Sequence, residues 1–327
     1  MREPRDSRHL VPLTELTLDR CALYTRFRDM MAQDSRIYLP LPRTLVSQLL
    51  LGFLFVVLSG QSIAMAQDLS GDRLGDGLSI SVWNPHAQCP DVAPMIAVDI
   101  DPDRYRFTVH YYQQEGLSDP PDIRQWQERT GHDLVFNAGL FRENYAYLGL
   151  LYGNGRSMGS KRHATWLGLF AAEPAEAGSR RARVLDLTFD AFDEQQLAFR
   201  EVAQSLMLLD RTGKVRVRQT GKRAHQTLVA EQGNGHLLIL KTTEVVSLHA
   251  LGECLRDAFP SLRQVMAMDG GSSSDIAVSP SLRQATMAMA GFHSWIPLLE
   301  GSTTIHIGLP AVIGISPRRD QPAAKTR

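Results

Sequence analysis

Val265-Met266-Ala267-Met268-Asp269-Gly270-Gly271-Ser272-Ser273-Ser274-Asp275 carries a short apolar strand into a carboxylate, two glycines and three hydroxyls. The strand, Val265 to Met268, delivers Asp269 to its end. Glycine suits a backbone that turns with φ > 0 or that must come close to a ligand. Successive turn N–H groups can also form an anion-binding nest. One carboxylate beside a donor-rich turn suits a polar, oxygen-rich and phosphorylated substrate. A plain Asp-Gly-Gly turn after a buried strand accounts for the same residues without any ligand, so the rest of the chain has to decide.

Outward from this stretch the pattern is mostly strand. Leu78–Trp83, Met95–Ile100, Tyr105–Tyr112, Leu134–Phe136, Val184–Phe189, Leu206–Leu209, Val215–Val217, His236–Leu240 and Thr304–Ile307 are short and rich in β-branched or aromatic residues. Asp101-Pro102-Asp103, Thr212-Gly213-Lys214 and Gly233-Asn234-Gly235 read as hairpin turns. Helices are fewer. Pro121–Thr130 has proline near its start and Gly131 after it. Ser247–Phe259 repeats Leu248, Leu251, Cys254, Leu255 and Ala258 at helical spacing before Pro260 stops it. Asp193–Ala203 is a third expected helix. Gly71–Gly77 reads as loop. The fold class expected is α+β: strand-rich mixed sheets flanked by a few helices, a single domain over 78–317, rather than a doubly wound parallel sheet.

The ends of the chain read differently. Leu45 to Leu58 is an uncharged apolar core after Arg43, followed by Ala64-Met65-Ala66. A basic flank, a short apolar core and a small-x-small end form the secretory signal pattern. The core is too short for a spanning helix of about 20 residues. Residues 1–66 are therefore expected to be an N-terminal extension and signal peptide, cleaved before Gln67, with 67–77 as a linker and the true start at Met30 or Met31. The expected location is periplasmic or secreted, with membrane contact only through an uncleaved signal. The polar stretch 318–327 reads as a disordered tail. Export implies an oxidising compartment. Cys89 and Cys254 are then either a disulfide or two buried thiols.

Basic and acidic side chains balance at 35 each, leaving no electrostatic footprint for nucleic acid. No zincin, P-loop, dinucleotide or Gly-x-Ser-x-Gly signature is present. Asp99, Asp101 and Asp103 alternate like a calcium loop, but Arg104 and His110 stand where glycine and glutamate belong. No metal or cofactor is implied. Polar positions at the ends of apolar strands remain: Asn137 in Phe136-Asn137-Ala138-Gly139-Leu140-Phe141, and Gln204 and Ser205 just before the strand at Leu206–Leu209.

Taken in order, Asn-Ala-Gly-Leu-Phe at 137–141, Gly149-Leu150, Gly155-Arg156, Gln204-Ser205-Leu206-Met207-Leu208 and Asp269-Gly270-Gly271-Ser272-Ser273 resemble the phosphodiester glycosidase family. That family includes the lysosomal uncovering enzyme and bacterial proteins linked to exopolysaccharide. The resemblance runs over residues 78–317. It implies an exported hydrolase cleaving a sugar-1-phosphodiester, with a phosphorylated sugar or glycan as its partner. Asp269 would be the electrostatic stabiliser or nucleophile. Asn137, Gln204 and Ser205 would orient the substrate, and the Gly270, Gly271, Ser272 and Ser273 turn would supply oxyanion donors. Two positions depart from the family pattern. Gln226 stands where an arginine is usual, with Arg223 and His225 nearby, and Leu206 stands where glycine follows the Gln-Ser pair. Because an arginine clamps phosphate by a two-pronged fork, Arg223 is the expected substitute. The alternative implied by the departures is a non-catalytic carbohydrate-binding or polysaccharide-export accessory protein. A serine hydrolase using Ser272–Ser274 lacks a positioned base.

Overall fold

The computed structural model describes residues 71–289, 293–303 and 305–318. The expected signal segment, its expected cleavage site and the residues beyond Arg318 lie outside the described residues. The chain forms β1 (Asp72–Gly75), β2 (Leu78–Trp83), β3 (Met95–Ile100), β4 (Tyr105–Tyr111), α1 (Ile123–Thr130), β5 (Leu134–Asn137), β6 (Leu151–Gly153), β7 (Arg156–Ser157), β8 (Gly168–Pro174), β9 (Ala182–Asp186) and β10 (Phe199–Leu209). It continues through β11 (Arg223–Ala224), β12 (Thr227–Gln232), β13 (Leu237–Thr242), β14 (Val246–Ser247), α2 (Leu248–Ala258), β15 (Leu262–Ala267) and a 3-10 turn at Gly271–Ser273. β16 (Ile276–Val278), α3 (Pro280–Met287), α4 (Trp295–Gly301) and β17 (Ala311–Pro317) complete it.

The large sheet runs β1-β2-β3-β13-β12-β15-β10-β6-β7, with β8 and β9 added beside β10. A second sheet, β16-β5-β17-β4, packs against one face of it, and β11 and β14 form a small ribbon. Alternation along β13 explains the layering. Leu237 and Ile239 enter the core between the sheets with Phe107, Phe136 and Ile313. Leu238 and Leu240 point the other way, under Leu251 and Leu255 of α2. α1 starts on an Asp122–Gln125 capping box and stops at Gly131, whose φ of 64° is left-handed.

β4 is the outer strand of the second sheet. Its free edge is covered by two glutamates reaching from the large sheet. Glu173 accepts from Phe107 N at 3.2 Å, and buried Glu201 accepts from Val109 N at 2.8 Å. Cys89 and Cys254 form a disulfide with Cα atoms 5.7 Å apart, which settles the open alternative and ties the turn after β2 to α2.

Several expectations need correction. Among the described residues every strand pair is antiparallel, so the sheets there are not mixed, and strand content of 37% against 15% helix makes the fold mostly β. Residues 193–198 are irregular, and Phe199–Ala203 begins β10, because β8 on one side pulls this segment into the sheet. Asp72–Gly75 is strand rather than loop, paired with β2. Val215 makes only an isolated bridge to Leu209, and residues 305–307 are not strand. Asp101-Pro102-Asp103 connects two different sheets and is no hairpin. Arg318 is anchored, donating to both oxygens of Glu173 at 2.9 and 2.6 Å.

Candidate active site

The Asp-Gly-Gly-Ser turn sits where the two sheets meet, latched from both. Asn137 ends β5 in the second sheet. Its Nδ2 donates to the Asp269 carbonyl at 2.8 Å and its Oδ1 accepts from Asp275 N at 3.1 Å. Asp269 N donates to the Ala138 carbonyl at 3.1 Å and Gly271 N to the His225 carbonyl at 2.8 Å. Ser205 Oγ donates to the carbonyl of Ala267 at 2.6 Å. A Cβ at Gly270 would stand 2.9 Å from both Gln226 Oε1 and the His225 carbonyl, and Gly271 has φ of 68°, so both glycines are required.

The half-buried carboxylate of Asp269 accepts from Gly270 N at 3.0 Å and from the Ser273 hydroxyl. Burial pushes it up to about 6, against the downward pull of those two bonds. The expected nest is not free: Gly270 N serves Asp269 itself and Gly271 N serves His225. Exposed Ser272 keeps its donors.

Gln204 and Ser205 lie inside β10, fully buried, and not before a strand. The Gln204 amide is saturated by backbone. Its Oε1 accepts from Leu150 N and His163 N, and its Nε2 donates to the carbonyls of His163 and Trp166. It clamps the 149–166 segment rather than reaching a ligand. Tyr147 OH donates to the Gln204 carbonyl at 2.8 Å and accepts from Gly139 N at 3.1 Å. Gly149, at φ 92°, leaves room for Gln204, since a Cβ there would lie 2.6 Å from its Oε1. The glycines and amides of the motif thus fit one another.

Two clefts share the run 222–226 as a wall, and one of them is also lined by the turn, through Gly271 and Ser272. Arg223 and His225 line a cleft of about 700 Å³ with Gly271, Ser272 and Thr303. Lys222 and Gln226 line a groove of about 410 Å³ with Trp166 and Leu206. Asp269 lines neither. Arg223 faces away from Gln226, and its guanidinium donates to the Val245 carbonyl at 3.0 Å. It does not occupy the place of the expected arginine. The two departures from the family pattern, Leu206 and Gln226, are neighbours in one groove.

Behind the turn lies a buried polar cluster that the sequence did not reveal. Asp275 Oδ2 is 2.5 Å from His306 Nδ1, and the Thr227 and Ser274 hydroxyls are 2.9 Å apart. Lys241, wholly buried in β13, has an Nζ with no hydrogen-bond partner. Burial lowers Lys241 to about 8, partly offset by Asp275. Burial raises Asp275, opposed first by His306. Asp275 is legible only as the acid after three serines, and His306 carries no local signal. Lys241 sits within an otherwise apolar run. Among the described residues no group of three or more His, Cys, Asp or Glu side chains could hold a metal ion.

No family model and no curated protein matches the sequence. Solved structures match by fold. The catalytic domain of zebrafish N-acetylglucosamine-1-phosphodiester alpha-N-acetylglucosaminidase, auto-inhibited by its pro-peptide, superposes with a TM-score of 0.50 at 13% identity, covering 77% of this chain and 87% of that one. A hypothetical protein of Synechocystis gives 0.46 at 11% identity, over 69% of this chain, which spans only 59% of that protein. A Burkholderia pseudomallei protein described as exported gives 0.45 at 10% identity, over 68% of this chain and 74% of that one. The zebrafish likeness is one of fold. Among the described residues no helix is long and apolar enough to cross a membrane.

Proposed function

We propose that this chain is an exported hydrolase that cleaves a sugar-1-phosphodiester at the anomeric carbon, releasing a sugar and a phosphomonoester. The observation that carries the reading is the latching of the Asp269 turn by Asn137 and Ala138 from one sheet and by Ser205 from the other, which holds a single carboxylate in a preorganised polar setting. The shared fold with a catalytic domain acting on such diesters supports it.

In this reaction the bond from the anomeric carbon to the phosphate oxygen breaks, the phosphate leaves with the electron pair, and water supplies the new hydroxyl. The transition state resembles an oxocarbenium ion, which ionised Asp269 stabilises as counter-charge or captures as nucleophile. Glycosidases usually need a second carboxylic acid to protonate the leaving alcohol. A phosphate, with its second pKa near 6, leaves as a stabilised anion, so hydrogen-bond donors replace that acid. Asp275 is unsuited to the acid role, being buried against His306. Asn137, Gln204 and Ser205 act by positioning, since their side chains are bonded to the turn and its supports.

The test is Asp269→Asn, which keeps size and most hydrogen bonds but removes the charge. Turnover of a sugar-1-phosphodiester is expected to fall about a hundredfold or more, the scale of losing one preorganised electrostatic group, with little change in melting temperature. Unchanged turnover would overturn the mechanism. A second reading, a carbohydrate-binding protein without turnover, is favoured by the pairing of Leu206 and Gln226 in one groove. Wild-type protein that binds such diesters and hydrolyses none would select it.

A further inference from the structure

We propose that the groove beside Gln226 is a binding site for a negatively charged sugar, with Arg218 and Lys222 as the clamp on its anionic group. This rests on the glycan-directed reading above and assigns the residues that take the ligand's negative charge.

Four observations point to it. First, the lining includes Arg216, Arg218, Lys222 and His249 and no carboxylate, although His249 Nδ1 lies 3.3 Å from Glu253 outside the groove. Arg216 is already balanced, its Nη1 lying 3.1 Å from Asp210 and 3.5 Å from Asp186. Arg218 and Lys222 are exposed, and neither side chain has a hydrogen-bond or ion-pair partner among the described residues. Two uncompensated cations on one wall make the groove a positive site.

Second, the extended run 222–226 alternates. Lys222 and Gln226 line this groove, Arg223 and His225 line the other cleft, and the small Ala224 borders both. The charge missing at Gln226 is therefore supplied from the same side by its neighbours, and not by Arg223. The turn glycines cannot replace it, because their N–H groups are taken.

Third, the groove carries groups suited to a sugar. Gln226 is only 7% exposed, yet its Oε1 accepts no hydrogen bond, leaving an acceptor for a hydroxyl. Trp166 offers a flat apolar surface, held in place by stacking on His163 at 3.9 Å. Fourth, α2 begins at the groove with Ser247, Leu248 and His249, with no side-chain cap bond and no acid in its first turn. Its positive end adds to the field of the cations. A volume of about 410 Å³ is in the range of small-ligand sites.

The experiment is calorimetric titration of the Asp269→Asn protein, which keeps turnover out of the measurement, with glucose 1-phosphate, glucuronate and neutral glucose. At least one anionic sugar is expected to bind, with affinity falling as added salt shortens the screening length to about 8 Å. The two anions distinguish a phosphate source from a carboxylate source. Arg218→Ala with Lys222→Ala should weaken binding about tenfold or more, as loss of charge-assisted hydrogen bonds implies. Arg223→Ala should leave binding within twofold. Absence of binding by both anions, equal binding of glucose, or loss in Arg223→Ala without loss in the double variant would overturn the proposal. Because binding is read without turnover, its failure is distinct from failure of the hydrolytic reading, which Asp269→Asn kinetics decide.

Discussion

Asp269 is ionised only above the value near 6 to which burial lifts it. If its negative charge drives the reaction, the rate should climb as pH rises through about 6 and level off above it. A pH–rate profile of wild type against Ser273→Ala checks this. Removing the hydroxyl that pulls the carboxyl down should move the rise to higher pH. Lys241 makes the opposite kind of prediction. Its folded value near 8 lies below the ordinary 10.5, so the unfolded chain holds more protons between those values. Its penalty is full below pH 8 and fades as pH rises toward 10.5. Lys241→Met should therefore be more stable than wild type at pH 7, by a margin that shrinks by pH 10 in parallel thermal melts. Asp269 was legible because an apolar strand and two glycines frame it. The work of Gln204 was not, because its four bonds go to the backbone of residues 150, 163 and 166, whose side chains carry no pattern that announces it.

Elements were legible where local pattern and tertiary demand agree. α1 has its own cap and stop, and α2 its apolar stripe, so both lie where the sequence put them. Glu194-Gln195-Gln196 favours helix locally, but eleven residues from Phe199 form a strand shared by β8 and β15, and that pairing overrides propensity. Glu201 belongs to the same strand and answers to another sheet. Its two oxygens accept from Val109 N and Asn154 N, at 2.8 and 2.9 Å. Glu201→Ala leaves both donors unpaired and should cost about 2–4 kcal/mol, read as a lower urea midpoint. Burial lifts Glu201 from 4.5 to about 7. The folded state therefore binds the extra proton, and this group's contribution is complete below pH 4.5 and lost as pH rises through 7. The wild-type excess over Glu201→Ala should shrink accordingly between pH 5 and 8.

Across the whole molecule, the Cys89–Cys254 bridge closes a separation of 165 residues. In the chain-entropy account a loop of that length is worth about 5 kcal/mol, with 2–5 typical of measurements. The Cys89→Ser, Cys254→Ser protein should show that loss in urea unfolding, and added reductant should then change nothing further. The sequence left the pairing open because the partners are joined only by the packing of α2 on the large sheet. The two-sheet arrangement was equally hidden, since no local pattern says that β3 and β4, separated by four residues in chain, part to different sheets. That parting leaves β4 as an outer strand, and Glu173 and Glu201 stand along its margin. An uncovered margin of this kind can recruit the same strand from another molecule and seed fibrils. Two carboxylates placed there make the margin unwelcoming to a stranger, so their removal should be visible first as clumping at high protein concentration.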